Sequence, residues 1–285
     1  RGACCGDGRA SRDCLMTVFL QTRGTSALVV SMPHSGTFLP GGLGDRLTDE
    51  ARGLPDTDWH VPELYNFLGE LGASSIRATH SRYVVDLNRD PTGSSLYPGQ
   101  ATTELVPTTL FDGRPVYKPG EEPDEAEIEQ RRTDYFDPYH RALTELLVKS
   151  RMEHGFALLW DAHSIADEVP RLFDGVLPDL NLGTHGGESC DRTIERWAVK
   201  AMMDHEEYAS IVNGRFKGGW ITRAYGRPSQ NIHAVQMELA MSAYADDGLP
   251  WTYNEAKADK LRKALKDVMK AALDAARSLY SGEVK

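Results

Sequence analysis

The chain has 285 residues, with 32 Lys+Arg against 42 Asp+Glu and a formal charge of −10 at pH 7. Its 40% hydrophobic and 26% charged residues are ordinary for a globular protein and exclude a disordered or collagen-like chain. The acidic balance argues against nucleic-acid and anionic-membrane partners, and no apolar run approaches the roughly 20 residues of a membrane span.

Cys4, Cys5 and Cys14 fall in a Gly- and Arg-rich opening stretch that has neither helical nor strand periodicity. Their spacing is not that of a zinc knuckle, and Cys190 stands alone in the body of the chain, as expected in a reducing cytosol. Residues 1–15 are set apart as a processing remnant or tail, and residues 16–285 are read as one α/β domain. The stretch Thr17–Leu20 is the first strand-like run. Ala27–Met32 is a run of apolar and β-branched residues, interrupted only by Ser31 and ended by Pro33, the pattern of a buried strand. Apolar residues at helical spacing predict a helix over Asp56–Leu71, with Asp56 as a possible cap. Tyr83–Leu87 reads as a second core strand, and residues 92–123 as a long surface excursion. A helix should start at Asp137-Pro138 and end at Gly155, with a buried strand following at once over Phe156–Trp160.

Residues 165–187 read as loop, 190–204 as helix, and Ser210–Asn213 and Ala234–Leu239 as further strands. Leu261, Leu265, Val268, Met269, Ala272 and Leu273 form one stripe of a final helix capped by Asn254. Strands alternating with amphipathic helices predict a mixed, largely parallel sheet flanked by helices.

Candidate chemistry concentrates just beyond strand ends. His34 and His163 follow the strands that end at Met32 and Trp160, where open α/β sheets bind ligands. A single loop histidine is ordinary, but two at matching positions point to a metal. A catalytic zinc usually keeps a third protein ligand, and Asp56, Asp58, His60 and Glu63 all lie in the segment that could supply one. In Ala234–Leu239, Gln236 and Glu238 share one face, opposite Val235, Met237 and Leu239. A carboxylate set among apolar neighbours is costly unless it is functional, so Glu238 is the candidate acid–base group. Arg215, Lys217, Arg223 and Arg227 cluster without an acidic neighbour, and Asn88-Arg89 follows a predicted strand. Guanidinium forks suit carboxylates, which implies a small anionic substrate.

The segments PHSGTFLP (33–40), DTDWHVPELY (56–65), SRYVVDLNRDP (81–91), SLYPGQ (95–100), LLWDAHSI (158–165), LPDLNLGT (177–184), NGRFKGGWITRAYGRP (213–228) and HAVQMEL (233–239) resemble the N-formylglutamate amidohydrolase family. The likeness is collinear from about Thr17 to the final helix. It implies a metallohydrolase fold similar to zinc carboxypeptidases (phosphorylase/hydrolase-like). It also implies hydrolysis of N-formyl-L-glutamate to formate and L-glutamate in histidine degradation; the cysteine usage adds the expectation of a cytoplasmic location. In relatives of that fold the first metal motif is H-x-x-E, a D-x-N-R element binds substrate, and a late strand carries the catalytic glutamate. Carried over, His34 and His163 are metal ligands, Asn88 and Arg89 bind substrate, and Glu238 is general base and acid.

One position departs from the pattern: Thr37 stands where those relatives place the glutamate, and the resemblance implies Asp58 as the third ligand, since the N-formylglutamate family keeps an aspartate at this point, with Asp56 and the His60/Glu63 pair as the alternatives. Arg223 or a neighbour is assigned to the side-chain carboxylate. The expected cofactor is one divalent ion, Zn²⁺ before Mn²⁺, Co²⁺ or Fe²⁺. The alternatives are a deacylase of another N-acyl amino acid, a peptidase on the same scaffold, or a non-catalytic metal- or anion-binding protein.

Overall fold

A computed structural model describes residues 17–93 and 103–281. The expectation of a tail at residues 1–15 and the segment SLYPGQ therefore lie outside the described residues. Seven strands make the main sheet: β1 (Phe19–Thr22), β2 (Leu28–Met32), β3 (Ser74–Ala78), β4 (Ala157–Ile165), β5 (Leu180–Gly183), β6 (Ser210–Val212) and β7 (Ile232–Ala240). They lie in the order β1-β3-β2-β4-β7-β5-β6. β2 runs parallel to β3 and β4, β4 to β7, and β5 to β6, while β1–β3 and β5–β7 are antiparallel. The sheet is mixed and mostly parallel, with helices packed on it, as the alternation of elements predicted.

Short helices α1 (Leu43–Arg46), α2 (Asp49–Arg52) and α3 (Val61–Leu64) precede α4 (Glu125–Arg131) and α5 (Asp137–His154). Then follow α6 (Arg192–Met203), α7 (Trp220–Tyr225) and the long α8 (Glu255–Tyr280). The Asn254 side chain caps α8 by accepting from the Lys257 amide at 3.1 Å, satisfying one orphan donor of the first turn. Leu261, Leu265, Val268, Met269, Ala272 and Leu273 are buried on its inner stripe.

The period of two along the central strands sorts the core. Leu158, Trp160 and Ala162 of β4, with Val235, Met237 and Leu239 of β7, pack against residues of α3, α6 and α8. On the opposite face Val29, Ala157, Leu159 and Ala234 pack against Tyr139, Leu143, Leu146 and Leu147 of α5. Continued toward the strand ends, that second face carries Asp161, His163, Gln236 and Glu238, all buried. One face is thus apolar at its base and ionisable at its carboxyl end.

Several expected elements differ. Tyr83–Leu87 is a buried turn rather than a strand, because its backbone bonds locally and to a loop: the Val84 amide donates to Ser81 O at 2.9 Å and the Asp86 amide to Leu105 O at 2.7 Å. Asp56–Leu71 is not one helix. His60 adopts φ 61°, which breaks the chain into a turn, α3, and a 3₁₀ segment over Asn66–Leu71. α5 starts at Asp137-Pro138 and closes at Gly155 as expected, but a π turn over Arg132–Phe136 joins it to α4, so it continues a helical segment that the sequence did not show. β4 continues through Ile165, which puts His163 within the strand. β3 and β5 were too short and too polar to be read as strands. Residues 103–123 have little regular structure, yet Leu105, Val106, Leu110, Val116 and Tyr117 are buried, so this part is core-forming rather than a surface excursion.

Candidate active site

The turn before α3 is tied to the end of β2: the Asp58 amide donates to the His34 carbonyl at 3.1 Å. That bond brings Asp58 beside His34, and β4 delivers His163 from the neighbouring strand. Asp58 Oδ2 lies 3.0 Å from His163 Nδ1 and 3.8 Å from His34 Nδ1, and the two ring centroids are 4.9 Å apart. Ligand atoms of His34, Asp58 and His163 all lie within 4.8 Å of one another, and all three residues are buried. Asp58 Oδ2 also accepts from the Ser164 amide at 3.2 Å.

The far nitrogen of each imidazole meets a buried carboxylate. His34 Nε2 is 2.7 Å from Asp86 Oδ1, and His163 Nε2 is 3.1 Å from Asp161 Oδ2. Such carboxylate–histidine pairs fix the tautomer and turn Nδ1 toward a shared centre. Two imidazoles and a carboxylate with this outer support fit a divalent transition metal. The other possible third ligands are committed elsewhere. Asp56 Oδ2 accepts from the Phe111 amide at 3.0 Å, His60 Nε2 bonds the Trp251 carbonyl at 2.7 Å, and Glu63 is exposed.

Buried charge sets the proton affinities. Burial lowers the proton affinity of His34, and Arg82 lowers it further, against the pull of Asp86 and Asp58. Burial works against a charged His163 too, but Asp161 and Asp58 outweigh it and raise the ring well above the usual histidine range. Burial alone would raise Asp86, yet Arg82, Arg89 and His34 hold its carboxyl well below the usual range. Arg82, 4% exposed, is the centre of this balance. Its Nη2 donates to Asp86 Oδ2 at 2.5 Å, its Nη1 donates to the Asp56 carbonyl at 3.1 Å, and it stacks 4.6 Å over the Phe111 ring.

Glu238 lies on β7 between β4 and β5, directly opposite His163 and Asn181, so it is central in the sheet rather than at an edge. Burial pushes its carboxyl up to about 8, with His163 opposing. Gln236 Nε2 donates to Glu238 Oε2 at 3.0 Å, and Gln236 Oε1 accepts from the Gly219 amide at 2.6 Å. Asn88 Oδ1 accepts from the Ile221 amide at 2.7 Å, and its Nδ2 is 3.0 Å from His163 Nε2. Gly219 has to be glycine here, since a Cβ would lie 2.4 Å from Asn88 Nδ2.

These groups face one cavity of about 260 Å³, whose wall includes Arg82, Asn88, Arg89, Arg215 and Glu238. Arg89 is braced by Thr103, with Nη2 2.8 Å from its Oγ1 and Nε 3.1 Å from its carbonyl. Arg215 Nε donates to the Leu172 carbonyl at 2.6 Å. Arg223 is placed otherwise: its Nε donates to the Gly218 carbonyl at 2.8 Å, and it is absent from the cavity wall among the described residues. Asp86, Asp161, Arg82 and Gln236 were not singled out from the sequence as site residues. The alternation Asp161-x-His163 and Gln236-x-Glu238 carried the signal for two of them. Asp86 was marked only as the first residue of the D-x-N-R element, and Arg82 had no signal, because a turn has no face.

The profile of the N-formylglutamate amidohydrolase family matches residues 26–245. The chain is 48% identical over 259 residues to the N-formylglutamate deformylase of Pseudomonas aeruginosa, covering 91% of this chain and 97% of that protein. It is 47% identical over 251 residues to the enzyme of the same name from Pseudomonas putida, covering 88% and 94%. Among solved structures, the N-formylglutamate amidohydrolase of Ralstonia eutropha JMP134 shares the fold, with a TM-score of 0.74 at 23% identity over 94% of this chain and 100% of that one. With a family profile spanning its core and close likeness along almost its whole length, the chain belongs to the N-formylglutamate amidohydrolase family.

Proposed function

We propose that this chain hydrolyses N-formyl-L-glutamate to formate and L-glutamate with the help of one divalent metal ion, Zn²⁺ being the expected one. The observation that carries the reading is a His34–Asp58–His163 ligand set facing the same cavity as a buried glutamate and paired arginines. Its support from relatives is the N-formylglutamate deformylase name of proteins 47–48% identical over most of the chain.

His34 Nδ1, Asp58 Oδ2 and His163 Nδ1 would hold the ion. When bound, it supplies polarisation of the formyl carbonyl and a water of lowered pKa. The chain's own residues do the rest. Glu238 takes a proton from the attacking water as the new C–O bond forms at the formyl carbon. The same carboxyl then gives that proton to the amine nitrogen of glutamate as the C–N bond breaks, releasing formate. Asn88 and Arg89 bind the α-carboxylate. Arg215, rather than Arg223, takes the distal carboxylate, because Arg215 forms part of the cavity wall. Two cationic anchors beside a small cavity favour a dicarboxylate bearing a small acyl group. The products fit the closing step of histidine degradation, and no described helix is long and apolar enough to cross a membrane.

The test is glutamate release from N-formylglutamate by purified protein, read with its metal content before and after chelation. Activity lost with the metal and restored on its return supports the reading; a metal-free, fully active enzyme overturns the metal assignment. A panel of formyl-, acetyl- and succinyl-glutamate with a short peptide separates it from a wider deacylase or peptidase.

A further inference from the structure

Gln236 is 3% exposed, and both ends of its amide are engaged. The Gly219 N–H is a donor, so the oxygen of Gln236 must face it, and this forces the Nε2–H toward Glu238. The orientation of the amide is therefore set by backbone, not by choice of rotamer. We infer that Gln236 is the positioning residue for Glu238, holding Oε2 so that Oε1 is left for proton transfer, and that it ties the base to the Gly214–Gly219 segment bearing Arg215. The inference rests on the proposed reaction.

Three further observations bear on it. Gly219 is crowded against Asn88, leaving no room for a Cβ, so the donor that orients Gln236 cannot drift away from the substrate anchor. Asn88 in turn accepts from the Ile221 amide, and the first residues of α7 and those just before it thereby hold both the anchor and the holder of the base. On the other side of Glu238, Asn181 Nδ2 donates at 3.1 Å to its backbone carbonyl, which fixes the strand and leaves the carboxylate to Gln236. The charged groups around the carboxylate are His163 and Asp161 from β4, Asp58 from the turn before α3, and Arg82. None of these is altered by a substitution at position 236.

A donor aimed at an ionised carboxylate favours the base form, so removing it has a defined sign. Gln236→Met keeps length and volume and deletes both hydrogen bonds. With metal-loaded enzyme and N-formylglutamate, kcat should fall about tenfold to a hundredfold while KM stays within about twofold. The acid limb of the kcat/KM profile should move to higher pH, and metal content should match wild type. Gln236→Glu keeps an acceptor for the Gly219 N–H and is the deciding variant should Gln236→Met fail to fold. It places a second carboxyl beside Glu238 and should move the limb in the same direction. A limb that stays at the wild-type pH with kcat unchanged, in whichever of these variants folds, overturns the inference. Wild-type enzyme inactive on N-formylglutamate would instead sink the proposed reaction, so the two failures are distinct.

Discussion

The two faces of β4 and β7 make opposite use of the same alternation. The face toward α6 and α8 places Leu158, Trp160, Val235 and Met237 in an apolar core, where volume and shape are what must match. The face toward α5 begins in the same way, then turns to Asp161, His163, Gln236 and Glu238, where each group needs a named partner. Burial stabilises the first by removing apolar surface from water. In the second it shifts proton affinities, raising Glu238 to about 8, which bears on the acid–base role proposed for it. The lesson is that one strand can contribute to stability with one set of residues and to chemistry with the next.

Substitutions on the two faces should therefore fail differently. The largest effect is expected for Glu238→Gln: kcat about 10²–10⁴-fold lower, with metal content and melting temperature close to wild type. Leu265→Ala on the apolar side should do the reverse, costing about 2–5 kcal/mol in denaturant unfolding while the remaining folded enzyme keeps its kcat. If Leu265→Ala instead lowered kcat at full folding, the separation of the two faces would be lost. Asp161→Asn tests the outer support of His163. It should weaken metal affinity about tenfold to a hundredfold by competitive chelation, with little change in unfolding free energy.

Arg215→Gln sharpens the comparison within the cavity. The preference for N-formylglutamate over N-formylnorvaline, which keeps the α-carboxylate and lacks the distal one, should drop by about tenfold or more in kcat/KM ratio. The same collapse in Arg223→Gln, and not in Arg215→Gln, would return the distal carboxylate to Arg223. The smallest effect is a pH dependence of stability. His140 is buried with Nε2 on the Leu87 carbonyl at 2.9 Å, and burial pushes it down to about 3. An unfolded histidine titrates near 6.5, so between these values the unfolded chain binds more protons and stability rises with pH. Stability is then full above about pH 6.5 and should already be lower by about 1 kcal/mol at pH 5.5 in urea titrations.

Much of this was legible in the sequence. The apolar runs of β2 and β4 and the α8 stripe follow from periodicity; His34 and His163 stood out because each follows a buried strand run, and Glu238 because strand alternation sets a polar group against its apolar neighbours. Local pattern misled where the backbone closes on itself. Tyr83–Leu87 has strand composition, but it is a turn whose apolar side chains enter two separate clusters. The helical spacing over Asp56–Leu71 did not foresee the break at His60. Asp58 could be preferred over Asp56, His60 and Glu63 only through the family resemblance, since spacing alone leaves all four open.

Composition and periodicity determined the class of fold, the buried strands, the final helix and the face on which reactive side chains gather, because each of these depends on residues close together in the chain. Which groups meet was decided by tertiary structure. Asp58 reaches the histidines through one backbone bond to His34, Arg82 sits among carboxylates from two turns, and Gln236 takes its orientation from a glycine amide in another segment. Such pairings depend on distance in space between residues far apart in sequence, and hydrophobic patterning carries no record of them.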